Sequence, residues 1–209
     1  MKSDTNLRTE NEIADMFLKA KHWHLFWLSS GIPLIFQFML MLTLIVNLLS
    51  ETVYFSGLVY IYIKIYPILM FLFFGVLFGW LWSVVSGLQR LIPAEIILKE
   101  TRFKFFLLIL VVFMFLYCVY FIAFFNFVTL NSGVFAVIVP FQIFSICCFL
   151  YCLLFAAKTL KTAQLKKEVI FSDYAVEFFL ILFYPIGIWI IQPKINELIK
   201  QQIIISNID

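Results

Sequence analysis

Residues Phe105 to Ala157, FFLLILVVFMFLYCVYFIAFFNFVTLNSGVFAVIVPFQIFSICCFLYCLLFAA, form a run of 53 positions without one Asp, Glu, Lys or Arg. About 20 helical residues cross a hydrocarbon core of about 30 Å, so the run is too long for one crossing and suits two. The join falls at Asn131-Ser132-Gly133, residue types that favour a tight turn. One span is expected over Phe105 to Val128 and another over Gly133 to Ala157, as an antiparallel hairpin. Barrel strands would alternate apolar and polar residues. This run is apolar on every side, and only helices then satisfy the backbone in lipid.

Leu25 to Ser50, Ile65 to Gln89 and Phe178 to Pro193 are charge-free as well. The whole chain is 64% hydrophobic and 13% charged, against about 25% charged in an average soluble domain. A soluble fold of 209 residues cannot hide so much apolar surface, which excludes soluble enzyme, fibrous and disordered classes. The expected fold is an all-α polytopic transmembrane helix bundle. Its four secure spans are Leu25 to Leu49, Ile65 to Gly87 and the two above, followed by a fifth, proline-broken segment, Tyr174 to Ile191. The chain then divides into an amphipathic N-terminal tail, 1–24, the bundle, 25–191, and an amphipathic C-terminal tail, 192–209.

Lysine and arginine fix the orientation through the positive-inside rule. Lys2, Arg8, Lys19 and Lys21 precede span one; Arg90, Lys99, Arg102 and Lys104 separate spans two and three; Lys158, Lys161, Lys166 and Lys167 follow span four. The other side holds Lys64 alone. The N-terminus is therefore expected in the cytoplasm, and the long first apolar run, with no small-residue cleavage site after it, is expected to be retained as a signal anchor.

The fifth segment carries Glu177 near its start and Pro185 and Gly187 in its middle, where proline favours a kink. Its hydrophobicity favours a crossing, which would place Lys194 and Lys200 outside; a re-entrant course keeps them inside and obeys the charge rule better. The crossing is preferred on hydrophobicity. Asp173 is placed to cap the segment's first turn, and Gln192-Pro193 to end its helix before a tail with Ile195, Leu198 and Ile199 on one face.

Three local readings accompany these spans. Thr9-Glu10-Asn11-Glu12 matches a capping box ahead of a face formed by Ile13, Met16, Phe17 and Ala20, a helix suited to lie on the leaflet. Pro93 suits the first turn of a second interfacial helix with Glu95–Lys99 and Glu100–Lys104 pairs. The alternation Tyr60-Ile61-Tyr62-Ile63-Lys64-Ile65-Tyr66 suits an extended stretch along the outer interface before Pro67.

Lipid tails are as apolar as leucine, so helices associate in membranes through close packing of small residues and a few polar bonds. Gly75, Gly79, Ser83 and Gly87 repeat at strict four-residue spacing on span two. Span four offers a partner face of Ser145, Cys148, Cys152, Ala156 and Thr159, and the two faces are expected to meet, directly or across span one. All four cysteines lie within spans and suit small packing residues. His22 and His24 flank Trp23 at a span edge, where interfacial anchoring explains them better than metal binding.

Ionisable groups at membrane depth would mark function by default, and the spans hold almost none. The remaining candidates are Gln37 in span one, Asn126 in span three, Gln142 in span four, and Asp173 and Glu177 in the fifth segment. Ser29 and Ser30 lack a base nearby in sequence, and no H-E-x-x-H, G-x-S-x-G, Walker or Rossmann pattern occurs. No cofactor or metal is implied, and the basic residues are explained by topology without nucleic acid.

Phe171-Ser172-Asp173-Tyr174, Glu177-Phe178-Phe179-Leu180, Tyr184-Pro185-Ile186-Gly187-Ile188-Trp189 and Gln192-Pro193-Lys194-Ile195-Asn196 together resemble a signature in a group of small bacterial multi-span membrane proteins. Trp23 through Gly31-Ile32-Pro33 to Gln37 is similar to the same group. The resemblance implies the bacterial cytoplasmic membrane and no mechanism. The expected role is a non-enzymatic assembly, scaffold or regulatory subunit whose partners are the bilayer and a second copy or another membrane protein. The alternative is a small transporter, channel or lipid-handling protein, suggested by prolines in four of the five segments.

Overall fold

A computed structural model describes residues 14–50, 55–127 and 132–206, and these are helical throughout apart from short connections, with no strand among them. The chain enters as a helical stretch over 14–19 (α1) and continues through α2 (His22–Phe26), a π-helical turn (Trp27–Gly31) and α3 (Ile32–Ser50). The remaining elements are α4 (Phe55–Leu88), α5 (Glu100–Phe127), α6 (Ser132–Leu165), α7 (Phe171–Leu182) and α8 (Tyr184–Ser206). Four helices are long and apolar enough to cross a membrane: His22–Val46, Lys64–Leu91, Glu100–Phe121 and Val139–Leu165. The protein is thus an all-α membrane helix bundle.

α4 is the hub, packed against α3, α5 and α6. Its last three turns bury Leu77, Trp80, Leu81, Val84, Val85 and Leu88 almost completely against Phe103 of α5, Leu153 and Leu160 of α6, and Ile188, Ile191 and Ile195 of α8. The core therefore sits at the end of the bundle where α4 finishes, α5 begins and α6 finishes. Dense contact between such side chains holds helices together where hydrophobic exclusion from water cannot. Ser86 donates to Glu100 at 3.0 Å, which ties α4 to the start of α5, and Lys104 holds the same carboxylate at 2.9 Å from within α5.

The fifth segment differs most from the sequence reading. α7 and α8 are separate helices that pack on one another, and Glu177 of α7 lies 3.7 Å from Lys194 of α8. On one continuous helix those residues would stand about 25 Å apart, at ~1.5 Å per residue. The chain reverses at Phe183, the single residue between the two helices. A β-carbon on Gly187 would stand 1.7 Å from the Leu180 carbonyl oxygen, so only glycine lets the first turn of α8 pass the last turn of α7. Pro185 falls in the first turn of a new helix, where its missing N–H leaves no broken bond. Glu177 also meets Lys161 near the end of α6, so the segment enters and leaves at one end of the bundle. It is a re-entrant hairpin in place of the preferred crossing.

Other expectations change for local reasons. α4 runs as an unbroken helix through Tyr60–Tyr66 and carries Pro67 inside it, so the alternating stretch is helical, not extended. No helix starts at Pro93: turns and extended backbone occupy residues 93–99, Glu95 and Lys99 share no helix, and α5 begins at Glu100. α8 continues past Gln192-Pro193 to Ser206, so the boundary at 191/192 falls inside a helix. Met16 is 63% exposed while Ala14 and Leu18 are buried, which rotates the packed face of α1. The capping box at Thr9–Glu12 and the turn residue Asn131 lie outside the described residues.

Candidate functional site

Two polar constellations converge on the hairpin. The first is charged. Glu177 is 2% exposed and its Oε1 accepts from Lys161 Nζ at 3.0 Å, with Lys194 Nζ at 3.7 Å. Oε2 of the same carboxylate is buried without a hydrogen-bond partner. A buried carboxylate is retained only when compensated, and here one lysine comes from α6 and another from α8, so the three helices are fixed at a common level. Asp173, one turn before Glu177, is not the residue ahead of the helix: α7 begins at Phe171, and the Asp173 carboxylate in its first turn reaches back to accept from the Ile170 backbone N–H at 3.0 Å.

The second constellation is neutral and centres on Gln192, which is fully buried. Its Oε1 accepts from the Trp80 indole N–H at 2.8 Å. Its Nε2, with two hydrogens to share, lies within hydrogen-bond distance of four acceptors, the carbonyls of Phe17 at 3.1 Å, Leu18 at 3.1 Å and Ala20 at 3.0 Å, and Asn196 Oδ1 at 3.2 Å. The last carbonyls of a helix have no partners within it. Gln192 caps α1 from a helix more than 170 positions away in sequence. Sequence reasoning treated Gln192 only as part of a helix stop; its one signal was a glutamine inside an otherwise apolar face.

The small-residue ladder serves the same docking. A β-carbon on Gly79 would stand 3.0 Å from the Phe17 ring, and one on Gly87 would stand 2.1 Å from Leu18. Gly75 has nothing within 4 Å. Ser83 is buried and donates to the Gly79 carbonyl at 2.8 Å. The ladder's occupant is therefore α1, not the expected face of span four: two apolar side chains of α1 fill the space the glycines leave. Cys148, Cys152, Ala156 and Thr159 are buried in the core while Ser145 is half-buried.

At the hairpin's turn, Tyr184 packs on Trp80 and Phe73, and its hydroxyl is buried with no hydrogen-bond partner among the described residues. Ser29 donates to the Leu25 carbonyl at 2.7 Å, and its oxygen lies 3.3 Å from that of Ser30. Both serines sit in the π-helical turn, and no base meets either hydroxyl among these contacts. The histidines point apart, His22 onto the Trp189 ring at 4.7 Å and His24 onto Trp23 at 3.7 Å. Beside Lys194 an open depression of about 300 Å³ is lined by Gln164, Glu197, Leu198 and Gln201.

The other polar candidates stand apart from these groups. Gln37 and Gln142 are exposed on the outer surfaces of α3 and α6. Asn126 lies on α5, and its side chain is outside the described residues.

No family model matches this chain, and neither a curated protein nor a solved structure is similar enough to count as a match. The geometry itself defines the class, a four-span helix bundle locked at one end by a re-entrant hairpin and a docked N-terminal helix.

Proposed function

We propose that the protein is a non-enzymatic membrane subunit, an assembly or regulatory component that offers its first span to another membrane helix. The observation that carries this reading is the exposure of span one. Only 17% of its most apolar window is buried, the smallest share of the four, against 22% for spans three and four and 44% for span two. Leu34, Ile35, Phe38, Met41, Val46 and Leu48 all face outward, each at least 55% exposed. The hairpin's polar groups are spent on internal structure: Gln192 on α1 and Trp80, and Glu177 on two lysines. That allocation argues for a rigid frame over a transport pathway.

The location that suits this role is the bacterial cytoplasmic membrane with the N-terminus inside, in keeping with the C-terminal resemblance. A re-entrant hairpin supports the orientation, since Lys194 and Lys200 then join the other basic segments and leave Lys64 alone opposite.

A photo-crosslinking amino acid at Phe38 tests the role in native membranes. Covalent protein adducts are expected on span one; adducts to lipid alone would overturn the reading. The same probe at Leu81, which is fully buried, reports internal crosslinks and controls for the fold.

A further inference from the structure

We infer that span one docks against span four of a second copy of this chain, through hydrogen bonds between Gln37 and Gln142. The inference deepens the proposed role and rests on it, because it names the partner of the same exposed helix.

Both glutamines lie inside charge-free apolar runs, Leu25 to Ser50 and Phe105 to Ala157. Both are exposed, and neither amide has a hydrogen-bond partner among the described residues. An amide facing hydrocarbon has no water to bond, so a matching donor and acceptor on a neighbouring helix is the favourable resolution. A glutamine amide is both donor and acceptor, and a second glutamine satisfies it.

The two residues also stand at heights within about a turn of one another. Ala20 and Lys161 mark one level, because Gln192 binds the first and Lys194 lies with the second around Glu177, two residues apart on α8. Gln37 is fifteen positions beyond His22, where the helix of span one begins next to Ala20, about 22 Å along it, and Gln142 is nineteen before Lys161, about 28 Å. The difference is about one helical turn, ~5.4 Å. Within one chain α3 rests on α4 and on the π-helical turn, while α6 packs on α4, α5 and α7. Two copies side by side bring the amides together. α3 runs away from the hairpin end and α6 runs toward it, so the docked pair is antiparallel. Phe38 and Met41 beside Gln37, and Ile143 and Ile146 beside Gln142, are more than 45% exposed and supply the apolar flanks.

The register can be tested with a cysteine pair. Leu34 lies toward the hairpin end from Gln37, and the native, exposed Cys147 lies toward the same end from Gln142. In the full chain in lipid vesicles, Leu34→Cys is expected to form an inter-chain disulfide under mild oxidation, and Cys147→Ser is expected to abolish it. Fluorescence transfer between labelled copies, followed on dilution with lipid, should show self-association roughly tenfold weaker in Gln37→Leu and in Gln142→Leu alike, as two interhelical amide bonds imply. Thermal stability of each monomer should stay unchanged, because neither glutamine is in the core.

Self-association that survives both substitutions, or that responds to only one, overturns the pairing. Photo-adducts from Phe38 to a different protein with no Leu34→Cys disulfide would sink this inference and leave the proposed role standing. Neither adducts nor disulfide would sink both.

Discussion

Span one and span two are similar in hydropathy, 1.9 and 2.3, yet 17% of the one is buried and 44% of the other. Hydropathy places a helix in the bilayer and says little about which helix touches which, because lipid and protein interior are equally apolar. What separates the two is polar and steric detail. Span two carries Trp80, whose indole N–H reaches Gln192, and the glycines that admit Phe17 and Leu18. Span one past its π-helical turn carries long apolar side chains and one glutamine without an internal partner.

Substitutions around span two should therefore be costly and those on span one nearly silent, as read by thermal unfolding in detergent micelles. The largest effect is expected at Gly187→Val. Its new atoms would overlap the Leu180 carbonyl, and the hairpin would open with a loss of about 4 kcal/mol or more. Intact thermal stability in this variant would refute the re-entrant turn. Lys161→Met removes the nearer cation of Glu177 and leaves a buried carboxylate with Lys194 alone at 3.7 Å. A loss of about 3 kcal/mol is expected, and no loss would mean that the pair contributes nothing to joining α6 and α7.

Gln192→Ala strands the Trp80 indole and the Leu18 carbonyl, while the Phe17 carbonyl keeps the Ala20 N–H and the Ala20 carbonyl keeps Asn196, at a cost of about 2 kcal/mol. Its particular signature is faster hydrogen exchange or proteolysis around residues 14–20, since that segment loses its cap; unchanged protection there would break the assignment. Phe38→Ala on span one should change monomer stability by less than about 0.5 kcal/mol, because the side chain is 60% exposed. A core-sized loss would contradict the comparison at its simplest point.

Much of this contrast could be read from residues alone. The four spans follow from charge-free runs, and Asp173 marks the start of α7 to within a turn, although it bonds back to Ile170 from inside the helix. Gly75, Gly79, Ser83 and Gly87 announced a close approach, but a glycine ladder specifies only that something comes near. Its occupant, α1, was hidden because a short amphipathic segment reads equally well as lying on the leaflet. Gln192 was passed over for a similar reason: a capping side chain over 170 positions distant leaves no local pattern. Pro185 and Gly187 read as a kink, and whether a kinked helix proceeds or turns back depends on the contact at Leu180, which no periodicity reports.

The sequence by itself determined that the chain lives in a membrane, that four helices cross it, and which ends share the basic residues. Those properties depend on transfer free energy between water and lipid, which is a sum over local segments. Only the tertiary structure decided that the fifth segment turns back, that α1 fills the glycine groove, and that Glu177 and Gln192 lock the assembly. Those outcomes depend on hydrogen-bond partners and steric fit between distant segments, where lipid offers a glutamine or a buried carboxylate nothing in exchange.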